Sequence, residues 1–301
     1  MDLAAVCAEA QANGCRTEQA VPMAALTTMR IGGPADLLIG IPDTAAASAV
    51  LRSCRDHGVP YLWLGNGSNL LVGDKGLRGA VLRFEDAAPT VAADGRITCS
   101  AGTKLSRLCR TALDNGLTGL EFAYGIPGTV GGAVYMNAGA YDGEMAQVLH
   151  SARCLDPDGT VTDVPAEQLE LSYRHSALME NGRIVAQATV SLRPGDPAAI
   201  EAKMNELLSR RREKQPLEYP SAGSFFKRPA GYFAGALIQQ AGMKGYQVGG
   251  AQISEKHAGF VINRGGATAD DVRRLCADVQ KAVYALAGVS LEPEVRFVGE
   301  F

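Results

Sequence analysis

Three short stretches carry polar side chains that packing does not explain. LSYRHS (171–176) sets Tyr173, Arg174 and His175 side by side. SAGSFFKRP (221–229) puts Ser224 next to two aromatics and just ahead of a basic pair, and LEPEVRF (291–297) carries Glu294 and Arg296. A hydroxyl, a guanidinium and a carboxyl together could supply a proton donor, a cation for a developing oxyanion and an acid or base. Their spacing does not bring them together, and each one alone reads as well as a surface position or half of a salt bridge.

Two glycine-rich stretches suggest a different kind of chemistry. GNGSN (65–69) directly follows the apolar run YLWL, and GIPGTVGGAVYMNAGAYDG (125–143) holds glycines at 125, 128, 131, 132, 139 and 143. Glycine lets the backbone turn through positive φ and approach a ligand closely, and successive N–H groups can form a nest for phosphate oxygens. Glycine after a strand can equally just make a turn. GNGSNLL lacks the last glycine of GxGxxG and no GxxxxGK[ST] occurs, which argues against a Rossmann site and a P-loop and leaves a phosphate cradle unassigned.

The elements that must position these residues follow from periodicity. Helices are expected at 3–12, at 43–57 with Asp43 or Thr44 as N-cap, and within GTKLSRLCRTALDNGL (102–117), where Leu105, Leu108, Cys109, Ala112 and Leu113 fall on one face and Gly116 is the stop. Leu37, Leu38, Ile39 and Ile41 read as a buried strand, YLWLG (61–65) and GAVLRF (79–84) as two more, so a small βαβ-like sheet is expected. Strands follow at 97–102, 148–156, 160–164 and 184–192, with a DPDG turn at 156–159. The helix at 197–215 ends in Arg210, Arg211, Arg212 and Lys214, a pattern that suits a helix C-terminus better than a nucleic-acid patch. Beyond Pro216 come a helix at 233–243, strands near 257–263 and 293–298, and a helix at 269–287. In that last helix Val272, Leu275, Val279, Ala282 and Leu286 form one face, and Thr268 with Asp271 form a capping box. In the final strand, Glu294, Arg296 and Val298 should share one face.

Bulk properties narrow the function classes. A chain of 301 residues, 47 % apolar and 20 % charged, suits a globular enzyme of two or three compact units. A net charge of −3 gives no concentrated basic face, so nucleic acid is not expected as a partner. No apolar run of about 18 residues exists, so membrane insertion is not expected. MDLAAVCAEA is unlike a secretory signal, and the seven scattered cysteines suggest reduced, packed thiols in a cytoplasm. The four histidines lie far apart and suggest no metal site.

Seven motifs in order, TMRIGGPAD, LGNGSNLLV, EFAYGIPGTVGGAVYMNAGAY, LSYRHS, SAGSFFKRP, GGAQISEKHAGFVIN and EPEVRF, resemble the UDP-N-acetylenolpyruvoylglucosamine reductase family from about residue 20 onward. The passage from LSYRHS straight to the strand near 184 is similar to the shorter subtype, which lacks an extra substrate-covering loop. The resemblance implies an α+β fold: a bipartite FAD-binding module of the vanillyl-alcohol-oxidase type (1–83 and 84–212) and a C-terminal α+β substrate-binding domain (213–301). It implies NADPH-dependent reduction of the enolpyruvyl ether of UDP-N-acetylglucosamine to UDP-N-acetylmuramate in peptidoglycan synthesis, and so a part in cell-wall biogenesis, cell shape and division. No obligate protein partner is evident.

By the same match, FAD would contact Arg30, Gly65, Asn66, Gly67, Ser68, Asn69, Gly125, Ile126, Pro127, Gly128, Thr129, Val130, Gly131 and Ala140, its pyrophosphate against GNGSN and its ring near 124–141. With no histidine between 58 and 149, FAD is expected to be non-covalent. Ser224 matches the proton donor, and Arg174 and Glu294 match the groups that steady the intermediate. Burial would raise the Glu294 pKa if it donates. Tyr173, Lys227, Arg228 and His257 are weaker candidates for holding the UDP-sugar. Two alternatives stay open: a flavin oxidase of this fold acting on an alcohol or sugar, and a nucleotide-binding module without catalysis.

Overall fold

The computed structural model describes residues 1–301, and their contacts divide them into two compact units. The first takes residues 1–19, 37–66 and 79–210, the second residues 20–36, 67–78 and 211–301.

The first unit is built on two sheets that share one apolar core. The four-stranded sheet has the order Arg16–Pro22, Pro34–Ile41, Leu77–Phe84, Tyr61–Trp63, and Tyr61–Trp63 pairs in parallel with Leu77–Phe84. Helices Leu3–Ala12 and Thr44–Asp56 cover it, and the Asp43 carboxylate caps the second by accepting from Ala46 N at 2.8 Å. The expected all-buried strand turns out to be half-buried. Leu37, Ile39 and Ile41 enter the core while Leu38 lies on the other face, the period-2 pattern of a sheet covered on one side.

The second sheet is antiparallel, with the order Val161–Pro165, Leu149–Leu155, Ile184–Ser191, Arg96–Ser100, Thr90–Val91. Helix Leu105–Asp114 packs on this core through the five residues expected from spacing, all buried, and Gly116 adopts φ +62° beyond its end. Inside the second glycine-rich stretch the chain forms a helix that periodicity did not suggest, Val130–Tyr135, with Thr129 as N-cap.

The second unit has a four-stranded antiparallel sheet in the order Ser221–Ser224, Phe260–Asn263, Ala251–Ile253, Gln247–Val248. Helices Ala234–Gln240 and Ala269–Ala287 pack on it, and Phe225, Ile238, Val261, Val272, Leu275 and Val279 join one core. The Thr268–Asp271 capping box is present in full. The apolar face of that helix closes on Val283; Leu286 is 53 % exposed and Ala282 half-buried, because the last turn runs past the sheet. The C-terminal strand is shorter than expected, Arg296–Val298, and pairs in parallel with Leu70–Val72.

Candidate active site

In the second unit, Ser224 owes its exposure to an irregularity. Ser221 faces Ile262 while Ser224 faces Phe260, so the Ser221–Ser224 strand carries one extra residue, and Gly223 sits at φ +77°. A bulge of this kind re-aims the side chain that follows it, and here the following residue is the exposed Ser224. The next residue, Phe225, is locked in place. Its ring is buried, its N–H donates to Gly259 O at 2.8 Å, and its carbonyl accepts from Glu294 N at 2.9 Å.

Ser224 and Glu294 are thereby brought together on adjoining backbone. Glu294 is half-buried and lies ahead of the last strand rather than inside it, with its carbonyl accepting from Asn69 Nδ2 at 3.2 Å. Asn69 O in turn accepts from Arg296 N at 3.0 Å. The neighbouring basic residues have partners of their own: Lys227 pairs with Glu292, and the Arg228 guanidinium lies 4.0 Å from the Phe233 ring centroid. The half-buried His257 turns its ring inward, where Nδ1 accepts from Gly259 N at 3.1 Å, and burial holds its pKa below 6.5. It thus supports the same Gly259 that holds Phe225.

Arg174 belongs to the first unit. Ser172 and His175 exchange both backbone hydrogen bonds, at 3.2 and 3.1 Å, which leaves Tyr173 and Arg174 at the tip of a two-residue turn. Arg174 holds φ +54°, its Cζ lies 5.3 Å from the Tyr173 ring centroid, and Nη2 donates to Gly139 O at 3.2 Å. Below the tip His175 pairs with Glu180 at 3.0 Å, and that hydrogen bond raises the imidazole pKa above 6.5.

The two glycine-rich stretches differ in how their backbone is used. No acceptor within the protein meets the N–H groups of Gly65, Asn66, Gly67 or Ser68, and Gly67 stands at φ +60°. Asn66 Nδ2 donates to Pro127 O at 2.9 Å. In the second stretch the N–H groups of Ile126, Gly128, Val130 and Gly131 all find backbone acceptors. A Cβ on Gly131 would lie 2.7 Å from Ala101 Cβ, whereas one on the exposed Gly132 would meet only Thr129 Oγ1 at 3.6 Å. Arg30 is exposed and holds φ +55°.

Comparison with known proteins decides the family. The profile of the UDP-N-acetylenolpyruvoylglucosamine reductase C-terminal domain matches residues 215–298, and that of an FAD binding domain matches 35–165. A UDP-N-acetylenolpyruvoylglucosamine reductase of Clostridium perfringens is 50 % identical over 278 residues, 92 % of this chain and 91 % of the relative. The chain belongs to the UDP-N-acetylenolpyruvoylglucosamine reductase family. A crystal structure of the Thermus caldophilus reductase superposes with a TM-score of 0.81 at 38 % identity, covering 94 % of this chain and 99 % of that one. A berberine bridge enzyme variant described as a reticuline dehydrogenase superposes over 64 % of this chain and 44 % of its own, with a TM-score of 0.50 at 14 % identity. That second likeness speaks for the fold alone, so the oxidase alternative draws no functional support from it.

The fold is accordingly the α+β one of this reductase family, a bipartite FAD-binding module of the vanillyl-alcohol-oxidase type with a C-terminal α+β substrate domain. The residues fit the FAD that the family uses. Four consecutive N–H groups without an internal acceptor suit a diphosphate, and Gly132 has no packing reason to lack a side chain. Two residues escaped the sequence reading. Gly223 makes the bulge that exposes Ser224, a role its place before a polar residue in a strand could have suggested. Asn137, inside NAGAY, is completely buried, which nothing in its neighbourhood signals.

Proposed function

We propose that Ser224, Arg174 and Glu294 carry the chemistry by which this FAD-containing enzyme reduces UDP-N-acetylglucosamine enolpyruvate to UDP-N-acetylmuramate with NADPH. FAD held by these residues would supply a two-electron relay between NADPH and the methylene carbon of the enolpyruvyl alkene. Negative charge then develops on the adjacent carbon and spreads into the substrate carboxylate. Arg174 and Glu294 hold that charge, the first as a fixed cation and the second through a carboxyl group that donates when it carries a proton. Ser224 delivers the proton to the ether-bearing carbon, which leaves a saturated lactyl ether.

The observation that most favours this reading is the bulge at Gly223–Ser224: it spends a ladder position to present a small hydroxyl outward, with Glu294 on the adjoining backbone. For the cofactor, the 65–69 loop would hold the pyrophosphate through the N–H groups of Gly65, Asn66, Gly67 and Ser68, and residues 125–131 with Ala140 would line the ring. Arg30 joins that cofactor set. Tyr173, Lys227 and Arg228 serve the UDP-sugar, and His257 acts through its support of Gly259 and Phe225. The functional division is 1–83 and 84–212 for the two FAD-binding subdomains and 213–301 for the substrate domain, with 20–36 and 67–78 packing alongside the last of these. We assign the enzyme to the cytoplasm, where NADPH, UDP-sugars and its seven free thiols all belong. No helix is long and apolar enough to cross a membrane.

Ser224→Ala tests the assignment by rapid mixing. Removing a positioned acid costs about 100- to 10,000-fold in the step it serves, so reoxidation by the enolpyruvyl sugar should fall by that factor while reduction by NADPH keeps its rate. Equal loss in both half-reactions would contradict it.

A further inference from the structure

The Tyr173–Arg174 turn is held by more than its own hydrogen bonds. Every second residue of the segment 135–139 takes hold of it. Ser176 Oγ donates to Tyr135 O at 2.6 Å, Asn137 Nδ2 donates to Ser172 O at 3.0 Å, and Arg174 Nη2 donates to Gly139 O at 3.2 Å. Stem, base and tip of the turn are thus tied to alternate positions of the segment that leads from the end of helix Val130–Tyr135 into Gly139.

The middle contact differs from the other two. Asn137 is wholly buried, and its amide is used at both ends: Nδ2 reaches Ser172 O, and Oδ1 accepts from Ala146 N at 2.9 Å. Ser172 O is also the acceptor for His175 N, the hydrogen bond that closes the turn. One side chain therefore grips the turn at its closing carbonyl and, through Ala146, the stretch just beyond the Gly139–Glu144 hairpin.

Asn137 stands at φ +39°, in a region that L side chains seldom adopt. Tyr141, Asp142 and Arg174 share that conformation, so four of the seven non-glycine residues with positive φ fall in this one corner. Such backbone persists where its surroundings over-determine it, and it clusters at working sites.

We infer that Asn137 is a positioning residue for the reductase reaction, fixing the Tyr173–Arg174 turn so that the Arg174 guanidinium is held beside Gly139. The inference rests on the assignment of Arg174 to the second half-reaction. Asn137 touches no reacting atom in this account; it acts through Arg174.

The two half-reactions of the FAD-loaded enzyme, measured separately, test it. Asn137→Asp keeps the acceptor for Ala146 N but sets a carboxylate oxygen against Ser172 O. Asn137→Gly tolerates the left-handed backbone and removes both contacts. A misplacement of about 1 Å can cost on the order of 100-fold in rate, so both variants should slow reoxidation by the enolpyruvyl sugar about 10- to 100-fold and leave reduction by NADPH within about 2-fold.

Two readouts separate positioning from a merely structural role. Added to Arg174→Ala, either variant should slow the second half-reaction no further, because nothing is left to position. The rate of Asn137→Asp relative to the parent should also recover as pH falls and the new carboxyl gains a proton to donate to Ser172 O. Equal loss in both half-reactions, multiplicative losses in the double variants, or an unchanged second half-reaction would overturn the inference. Should Arg174→Ala itself leave the second half-reaction intact, the assignment of Arg174 fails, and that result is read independently of Asn137.

Discussion

The two glycine-rich stretches look alike in sequence and are used in opposite ways. Around 65–68 the glycines allow a turn whose N–H groups point at nothing within the protein. Between 126 and 131 the N–H groups of Ile126, Gly128, Val130 and Gly131 are consumed internally, and Gly131 lets the backbone pass close to Ala101. Glycine content therefore does not measure anion binding. What matters is whether the amides remain unspent once the local fold has formed.

Single methyl groups can break or sharpen this contrast. Gly67→Ala should do the most damage. It adds a side chain at φ +60° and sets Cβ 2.3 Å from Leu26 O. Strain plus overpacking should cost about 2–4 kcal/mol, seen as a lower midpoint in denaturant together with loss of bound FAD. Gly131→Ala meets the Ala101 side chain and should lose about 1–3 kcal/mol, and because the added methyl is directed at Ala101 the protein that does fold should keep more FAD than the Gly67 variant. A Gly131 variant that folds normally yet loses FAD would reverse the contrast.

Gly223→Ala separates strain from crowding, since φ is +77° but no atom lies within 4 Å of the added Cβ. It should cost about 1–2 kcal/mol and slow the second half-reaction as the bulge shifts Ser224, with FAD content unchanged. Gly132→Ala should act in the opposite direction. Alanine there meets only Thr129 Oγ1 and improves helix propensity by up to about 1 kcal/mol, so the FAD-free protein should melt higher while FAD binds more weakly. Flavin fluorescence and thermal melts read both.

The smallest effect is that of pH on His257. Burial holds its folded pKa below 6.5, so the unfolded chain takes up the proton first. The contribution of neutral His257 is complete above pH 6.5 and is lost as pH falls from 6.5 through the folded value. His257→Gln should flatten the dependence of melting temperature on pH in that acid window.

Much of the fold was legible because local signals agreed with one another. The helix Ala269–Ala287 announced itself through its capping box and apolar face, and Leu105–Asp114 through five residues that are all buried. Helix Val130–Tyr135 was not legible, since two glycines in its first turn hide a helix that tertiary packing imposes. The last strand misled for a topological reason. Its partner, Leu70–Val72, is more than 220 residues away, and the structure starts the strand only at Arg296, after Pro293 and after Glu294 has bonded to Phe225. Candidate site residues were named by family resemblance rather than by spacing. The devices that hold them, the Gly223 bulge and the buried Asn137 amide, depend on contacts that one-dimensional patterning does not record.

The central claim is tested most directly by an anaerobic titration of the FAD-loaded protein. NADPH should bleach the flavin band with one equivalent, and UDP-N-acetylglucosamine enolpyruvate should then restore it with stoichiometric formation of UDP-N-acetylmuramate. A band that recovers with oxygen but does not respond to the enolpyruvyl sugar would contradict the account.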